Sequence, residues 1–327
     1  MALLKRLRNL RSEDNTGFGT NSNSTGGRFF NRNGKPNVIK HGVGVLERYS
    51  WYHTMLEMKR SKFIFLLFVI YIIINLFFAG IYYAIGINHL AGVNSGSSFK
   101  NFTEVFFFSA QTFTTVGYGR ISPVGFLASS VSTFEAFLGL LSFAIATGLF
   151  YGRFSRPRAF IRFSDFALIA PYKKGTALMF RMTPFKNNSL SEVETKVTMA
   201  VTTEENGRLT DKFYTLKLEI SKIDGMALSW TIVHPITEDS PFAGMTKEDI
   251  AASDLEIMVF VRGFDEVFSN NTVARTSYIS SEIIWGGKFR IMYHPSKDKS
   301  KTILDVDRLN EFERVEIPDL LAAPVTA

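Results

Sequence analysis

The sequence predicts two parts of different fold class: an α-helical membrane unit of two spans, with a re-entrant helix and loop between them, then an all-β sandwich. Three observations carry this. Residues 63–87 hold no charged side chain, residues 124–152 hold only Glu135 as a formal charge, and beyond Pro157 apolar residues alternate with period two. The 327 residues suggest about two domains. Without cysteine there are no disulfides, thiolate metal sites or cysteine nucleophiles.

At ~1.5 Å per residue, each apolar run is long enough as a helix to cross ~30 Å of hydrocarbon. The first run starts too far into the chain and is too long for a signal peptide core. Arg48, Arg60 and Lys62 precede it, and Arg153, Arg156, Arg158 and Arg162 follow the second, so the positive-inside rule places both chain ends in the cytoplasm. Residues 1–40 combine a basic opening with Gly, Asn and Ser, which predicts a disordered, solvated tail. Residues 44–58 mix aromatic and charged residues at helical spacing. They predict a short helix in the membrane interface, with Trp51 and Tyr52 at headgroup level.

In the β part, expected at 161–300, strands are predicted at 195–202, 216–220, 229–234, 255–262 and 288–294, separated by ENG, DG, HP and GG turns. Their pattern fits an antiparallel sandwich. Thr246 and Asp249 have the form of a capping box on a short helix. Residues 153–160 are read as a linker and 301–327 as a tail.

Between the spans stands TFTTVGYGR, residues 112–120. A cation that loses its water on entering a membrane needs close oxygens in exchange. Backbone carbonyls supply them where glycine relaxes the limits on φ, as Gly117 and Gly119 do here. Thr115, Val116, Gly117, Tyr118 and Gly119 match the known potassium-filter signature TVGYG, and the assignment rests on that match. Residues 101–113 before it read as a re-entrant pore helix whose C-terminal dipole end favours a cation. One chain supplies a quarter of such a ring, which predicts a homotetramer. On the second span Glu135, Gly139, Phe143, Thr147 and Tyr151 recur every four residues as a candidate pore-facing stripe. Glu135, the span's one acid, is expected to face the bundle interior or water, supporting the filter backbone or concentrating K+.

With the filter, the run GRFSRPRAF (152–160) and the stretches EDSPFAGMTKEDIAASDLEIMVFVRGF and ARTSYISSEIIWG (238–264 and 274–286), the chain resembles the inward-rectifier potassium channels, and their prokaryotic branch in particular, over about residues 44–294. The resemblance implies an immunoglobulin-like β-sandwich that extends the pore into the cytoplasm. It places Phe143 and Arg262 where strong rectifiers carry acids, and Glu192 at a pore-facing acid. Tyr151 falls at the bundle crossing as a hydrophobic gate, although packing alone would also account for an aromatic there. Gly263, Phe264, Ser269 and Asn270 match the loop that narrows the cytoplasmic pore. Gln111 stands where the family has an acid behind the filter. Arg153, Arg156 and Arg158, with Arg60 and Lys62, match a basic junction that binds anionic lipid or phosphoinositide. The implied channel sits in a bacterial inner membrane, conducts K+ without a cofactor, is blocked by Ba2+ and is only weakly blocked by polyamines and Mg2+.

Two rival classes find less in the residues. A nucleotide-sensing two-span channel would need a GxGxxG turn or a Gly/Arg phosphate cassette, and neither occurs. For a membrane-anchored enzyme, His41, His53, His89, His234 and His294 show no metal-ligand spacing, and no nucleophile elbow or carboxylate pair stands out. The basic charge gathers at the membrane junction, which argues against a nucleic-acid partner.

Overall fold

The computed structural model describes residues 28–42, 44, 50–94, 96–186, 189–205 and 208–317. The chain divides into a unit of residues 41–156 and a second unit that joins the residues before 41 to those from 157 onward.

In the first unit, α1 (Trp51–Glu57) opens at Ser50, whose hydroxyl accepts from the His53 N–H at 3.3 Å. Residues 45–49 of the expected interfacial helix lie outside the described residues. α2 (Arg60–Ile85) ends at Gly86, whose φ of +109° no side-chain-bearing residue adopts easily. β1 (Leu90–Ala91) pairs antiparallel with β2 (Ser122–Pro123). Between them lies α3 (Ser98–Phe113), and after them α4 (Phe126–Phe154). α3 starts at Ser98 instead of Asn101 because the Ser97 hydroxyl caps it, accepting from Lys100 N–H at 3.4 Å. α2 and α4 are long and apolar enough to cross a membrane, and Ile64, Phe65, Phe68, Ile73 and Phe77 on α2 are all more than half exposed. Such a face suits lipid, not water.

The second unit contains two five-stranded sheets. One orders β11-β10-β6-β7 with β8 on β6, and the other β12-β4-β5-β3 with β9 on β5. The strands are β3 (Ile161–Phe163), β4 (Ala167–Tyr172), β5 (Gly175–Pro184), β6 (Leu190–Glu205), β7 (Arg208–Thr215), β8 (Lys222–Gly225), β9 (Trp230–Pro235), β10 (Leu255–Asp265), β11 (Asn270–Ile279) and β12 (Ile283–Trp285). The short helix α5 (Lys247–Ala252) carries the expected capping box, with both Thr246–Asp249 bonds present. Leu178, Phe180 and Met182 of β5 and Val197, Met199, Ile257 and Val259 of β6 and β10 share one buried core. That is a sandwich, antiparallel except that β12 runs parallel to β4.

Several expectations are corrected. Residues 216–220 form no strand: Leu216 N–H bonds Val197 of one sheet and Glu219 N–H bonds Val233 of the other, so the segment crosses between sheets without a ladder. Residues 288–294 break into β13 (Gly287–Phe289) and β14 (Tyr293–Pro295). The expected tail 301–327 instead contributes β15 (Thr302–Leu304), paired with β14, and β16 (Phe312–Arg314), paired with β13; residues 318–327 lie outside the described residues.

The expected N-terminal tail is corrected as well. Residues 28–37 form a strap on the sandwich, with Phe29 and Phe30 packed on Ala200, Phe213 and Met258. Glu256 accepts from the Phe29 and Phe30 N–H groups at 2.5 and 3.1 Å, and Arg28 and Arg32 both pair with Glu282. Composition suggested disorder because these few anchors are diluted among Gly and Asn. Residues 1–27 lie outside the described residues.

Candidate functional site

The loop after α3 has an alternating backbone. Thr115, Gly117 and Gly119 take φ of +58°, +52° and +80°, while Val116 and Tyr118 between them do not enter the positive region. Alternation of hand along a short segment turns successive peptide groups toward one side, which is the arrangement a line of carbonyl ligands needs. The inner end of the loop is fixed by one acceptor: the Gln111 carbonyl takes the N–H of Val116 at 3.0 Å and of Gly117 at 3.3 Å. At the outer end the Arg120 guanidinium pairs with Glu104 of α3.

Glu135 does not line a cavity. It is fully buried behind α3, where its carboxylate accepts from the Tyr82 hydroxyl of α2 at 2.7 Å and the Ser109 hydroxyl of α3 at 2.5 Å. Asn75 completes the cluster, lying 3.2 Å from Ser109 Oγ through its side-chain oxygen and donating to the Tyr71 carbonyl at 2.7 Å. Gly139 is also turned inward, for a Cβ there would fall 1.9 Å from the Phe113 carbonyl oxygen. The single pore-facing stripe is therefore corrected. Each four-residue step drifts by about 40° on a helix, so Glu135 and Tyr151 are about 160° apart.

The lower part of the stripe faces outward from its own chain: Phe143 is 73% and Tyr151 75% exposed, and Thr147 is exposed. Phe143 joins Thr114, Thr115 and Ala146 in lining a groove of about 720 Å³ beneath the end of α3.

The basic residues divide by role. Arg153 donates to the Met55 carbonyl at 2.9 Å and also to Met58, tying the end of α1 to α4, and its guanidinium lies 5.0 Å over the Phe63 ring. Its hydrogen bonds thus satisfy helix-end carbonyls. Arg60 lies over Phe154 at 5.6 Å. Lys62, Arg156 and Arg158 are exposed.

In the sandwich, Glu192, Arg262, Gly263, Phe264, Ser269 and Asn270 gather at one end of the β6-β10-β11 sheet. The β6–β10 register shifts between Arg262 and Phe264, opposite Glu192, whose φ is +48°. This bulge turns Glu192 outward, where it pairs with Lys222 at 3.3 Å. Gly263 packs so that a Cβ would sit 3.3 Å from Val193. Asp265 Oδ1 accepts from the Val267 and Phe268 N–H groups, closing the turn that leads through Ser269, at φ +47°, to Asn270.

Sequence reasoning missed Tyr82, Ser109 and Asn75, the Glu104–Arg120 pair and the strap. Asn75 was the available signal, as an amide inside an otherwise apolar span.

Residues 161–326 match the family model described as the inward rectifier potassium channel C-terminal domain, and residues 67–156 match the one described as ion channel. The chain is 34% identical to the inward rectifier potassium channel Kirbac3.1 of Paramagnetospirillum magnetotacticum, over 87% of this chain and 95% of that one. It is 26% identical to the ATP-sensitive inward rectifier potassium channel 12 of Gallus gallus, over 89% and 72%. Against the inward rectifier potassium channel irk-1 of Caenorhabditis elegans the identity is 24%, over 90% of this chain and 58% of that one.

Proposed function

The chain belongs to the inward-rectifier potassium channel family, an integral membrane family of channels and not of enzymes, and from that premise we propose that it assembles as a homotetramer that conducts K+ passively, rectifies weakly and is gated by anionic lipid. The observation that carries the pore reading is the alternating backbone of Thr115, Gly117 and Gly119 at the end of α3. Carbonyls of Thr115, Val116, Gly117 and Tyr118 hold the permeant ion, which is cargo, and no cofactor is required.

Weak rectification is supported by an aromatic at 143, a cation at 262 and a Glu192 already paired with Lys222. Each lowers the negative potential that would hold a polyamine or Mg2+. Tyr151 is the proposed hydrophobic gate, and Gly263, Phe264, Ser269 and Asn270 the cytoplasmic constriction. Lys62, Arg156 and Arg158 are the proposed lipid contacts, each contributing about 1 kcal/mol near an anionic surface. Arg60 and Arg153 support that junction by packing α4, Arg153 through α1 as well. Both chain ends face the cytoplasm of a bacterial cell, from the positive-inside count.

The test is 86Rb+ uptake into liposomes holding the purified protein, driven by a K+ gradient, with and without a phosphoinositide. Uptake that Ba2+ blocks, Na+ leaves unchanged and the lipid alters is expected. The proposed lipid contacts are supported if Arg156→Gln with Arg158→Gln abolishes the lipid effect. Absence of uptake in both lipids would overturn the pore reading, and steep micromolar spermine block would overturn weak rectification.

A further inference from the structure

Where the cytoplasmic ends of the two spans meet, α2 and α4 exchange cations and rings. Arg60 and Phe63 stand on one face of the first turn of α2, and Phe150, Arg153 and Phe154 belong to the end of α4. The Arg60 guanidinium of α2 lies 5.6 Å from the centre of the Phe154 ring of α4, and the Arg153 guanidinium of α4 lies 5.0 Å from that of the Phe63 ring of α2. Phe150 joins the two pairs, edge to face with Phe63 at 5.2 Å and stacked on Phe154 at 6.2 Å. Each helix thus gives one cation to the other and receives one, in a reciprocal clasp. Phe63 is 1% exposed and Phe154 55%, so the Arg153 pair is the better shielded from water and the Arg60 pair the more easily altered without disturbing the core.

Tyr151 lies between these residues in sequence but on another face. At about 100° per residue, Phe154, Phe150 and Arg153 stand about 60°, 100° and 160° around α4 from it. Drawing the end of α4 toward α2 of its own chain therefore withdraws Tyr151 from the place where four α4 ends converge. We infer that Phe154, held by Arg60, is a positioning residue for the Tyr151 gate: the clasp keeps α4 against its own α2 and favours the conducting state. This rests on the tetramer and gate proposed above. A different role for the same rings is apolar packing alone. Packing depends on ring shape, whereas a cation over a ring depends also on the electron density of its face. Packing also has no reason to act through Tyr151.

The experiment measures 86Rb+ uptake by the full-length protein in liposomes, under the lipid condition in which the parent conducts. It compares the parent, Phe154→Leu, and proteins whose residue 154 is phenylalanine carrying one, two or three ring fluorines, which thin the electron density of the face and keep its shape. Each is made with Tyr151 and with Tyr151→Ala. Phe154→Leu and the triply fluorinated protein are expected to lose roughly two- to fivefold in uptake, with smaller losses for fewer fluorines and a parental melting temperature for the fluorinated series. In the Tyr151→Ala background these losses are expected to vanish, because the gate they act through is gone. Parental or raised uptake in both Phe154→Leu and the triply fluorinated protein, a flat fluorine series, or equal losses in the two backgrounds would overturn the inference and leave the gate standing. Tyr151→Ala without effect under the lipid condition that closes the parent would overturn the gate reading on which the inference stands, and a parent without uptake would overturn the channel reading.

Discussion

The Tyr82 hydroxyl donates to Glu135 Oε2 across 2.7 Å, joining α2 to α4 behind the pore helix, while Ser109 of that helix donates to the other carboxylate oxygen at 2.5 Å. One carboxylate thus bonds both neighbouring helices in a site without water access. Removing it strands the buried Tyr82 hydroxyl at about 1–3 kcal/mol and leaves Ser109 with only its longer 3.2 Å contacts to Asn75. Glu135→Ala is therefore expected to lower the melting temperature of the solubilised protein sharply, with Glu135→Gln intermediate because one oxygen acceptor remains. A parental melting curve for the alanine variant would show that the carboxylate does not hold the helices.

Gly139→Ala places a methyl where the Phe113 carbonyl stands, at 1.9 Å, and backbone cannot yield as a side-chain tip would. Overpacking of this kind costs about 1–3 kcal/mol. The expected outcome is loss of 86Rb+ uptake with the helices still inserted. Gly148→Ala, where a Cβ meets nothing within 4 Å, is the control expected to conduct.

Phe143 and Tyr151 are exposed on their own chain, so substitutions there are expected to alter conduction before stability. Tyr151→Ala should raise uptake under the lipid condition that closes the parent. Phe143→Asp should confer steep spermine block on outward flux measured in patched liposomes. Unchanged leak in the first variant would remove Tyr151 from the gate.

The strap depends on two acids. Glu256→Ala removes an acceptor of the Phe29 and Phe30 N–H groups, and Glu282→Ala removes the shared carboxylate partner of Arg28 and Arg32. Amide exchange of residues 28–37 is expected to rise about tenfold in either variant, equivalent to about 1.4 kcal/mol of local opening. Exchange confined to its parental rate would mean that the packing of Phe29 and Phe30 and the Ser277 and Thr276 bonds to the strap suffice without that acid.

His234 is buried at the end of β9, bonded to the Lys217 carbonyl at 2.6 Å and to Ser240 Oγ at 2.8 Å, and burial pushes its pKa below the usual 6.5. The unfolded chain then binds the proton more readily than the folded one, so stability is complete above about pH 6.5 and falls as the pH drops toward the folded-state value. Glu256, pushed up by burial, gives the opposite slope. The His234 component is accordingly read as the difference between parent and His234→Gln in melting temperature from pH 7.5 to pH 5, and the variant is expected to lose less on acidification.

Period and composition predicted the two apolar helices and the helix between them, because such runs act locally, whereas the filter assignment rests on a motif match. They missed β4 and β5, whose burial leaves almost no alternation: Ala167 to Ala170 are all buried. They also missed the partners of Glu135. A carboxylate alone in a span signals that it must be satisfied, but which hydroxyls reach it depends on how three helices pack. The inward turn of Glu135 and Gly139 follows from helix drift, which the four-residue spacing concealed. At the cytoplasmic end, the register shift opposite Glu192 is set by pairing between β6 and β10, so a single strand's sequence does not announce it.

The strap's hydrogen bonds to Glu256 and Glu282 join residues 226–254 positions apart, from Phe30 to Glu256 and from Arg28 to Glu282. The membrane unit is therefore an insertion between two pieces of the sandwich unit. On a ribosome the N-terminal piece emerges first, and both spans must be placed in the bilayer before the strands that receive it have been made. The strap waits through most of synthesis, so its docking reports that the chain has been translated at least through Glu282.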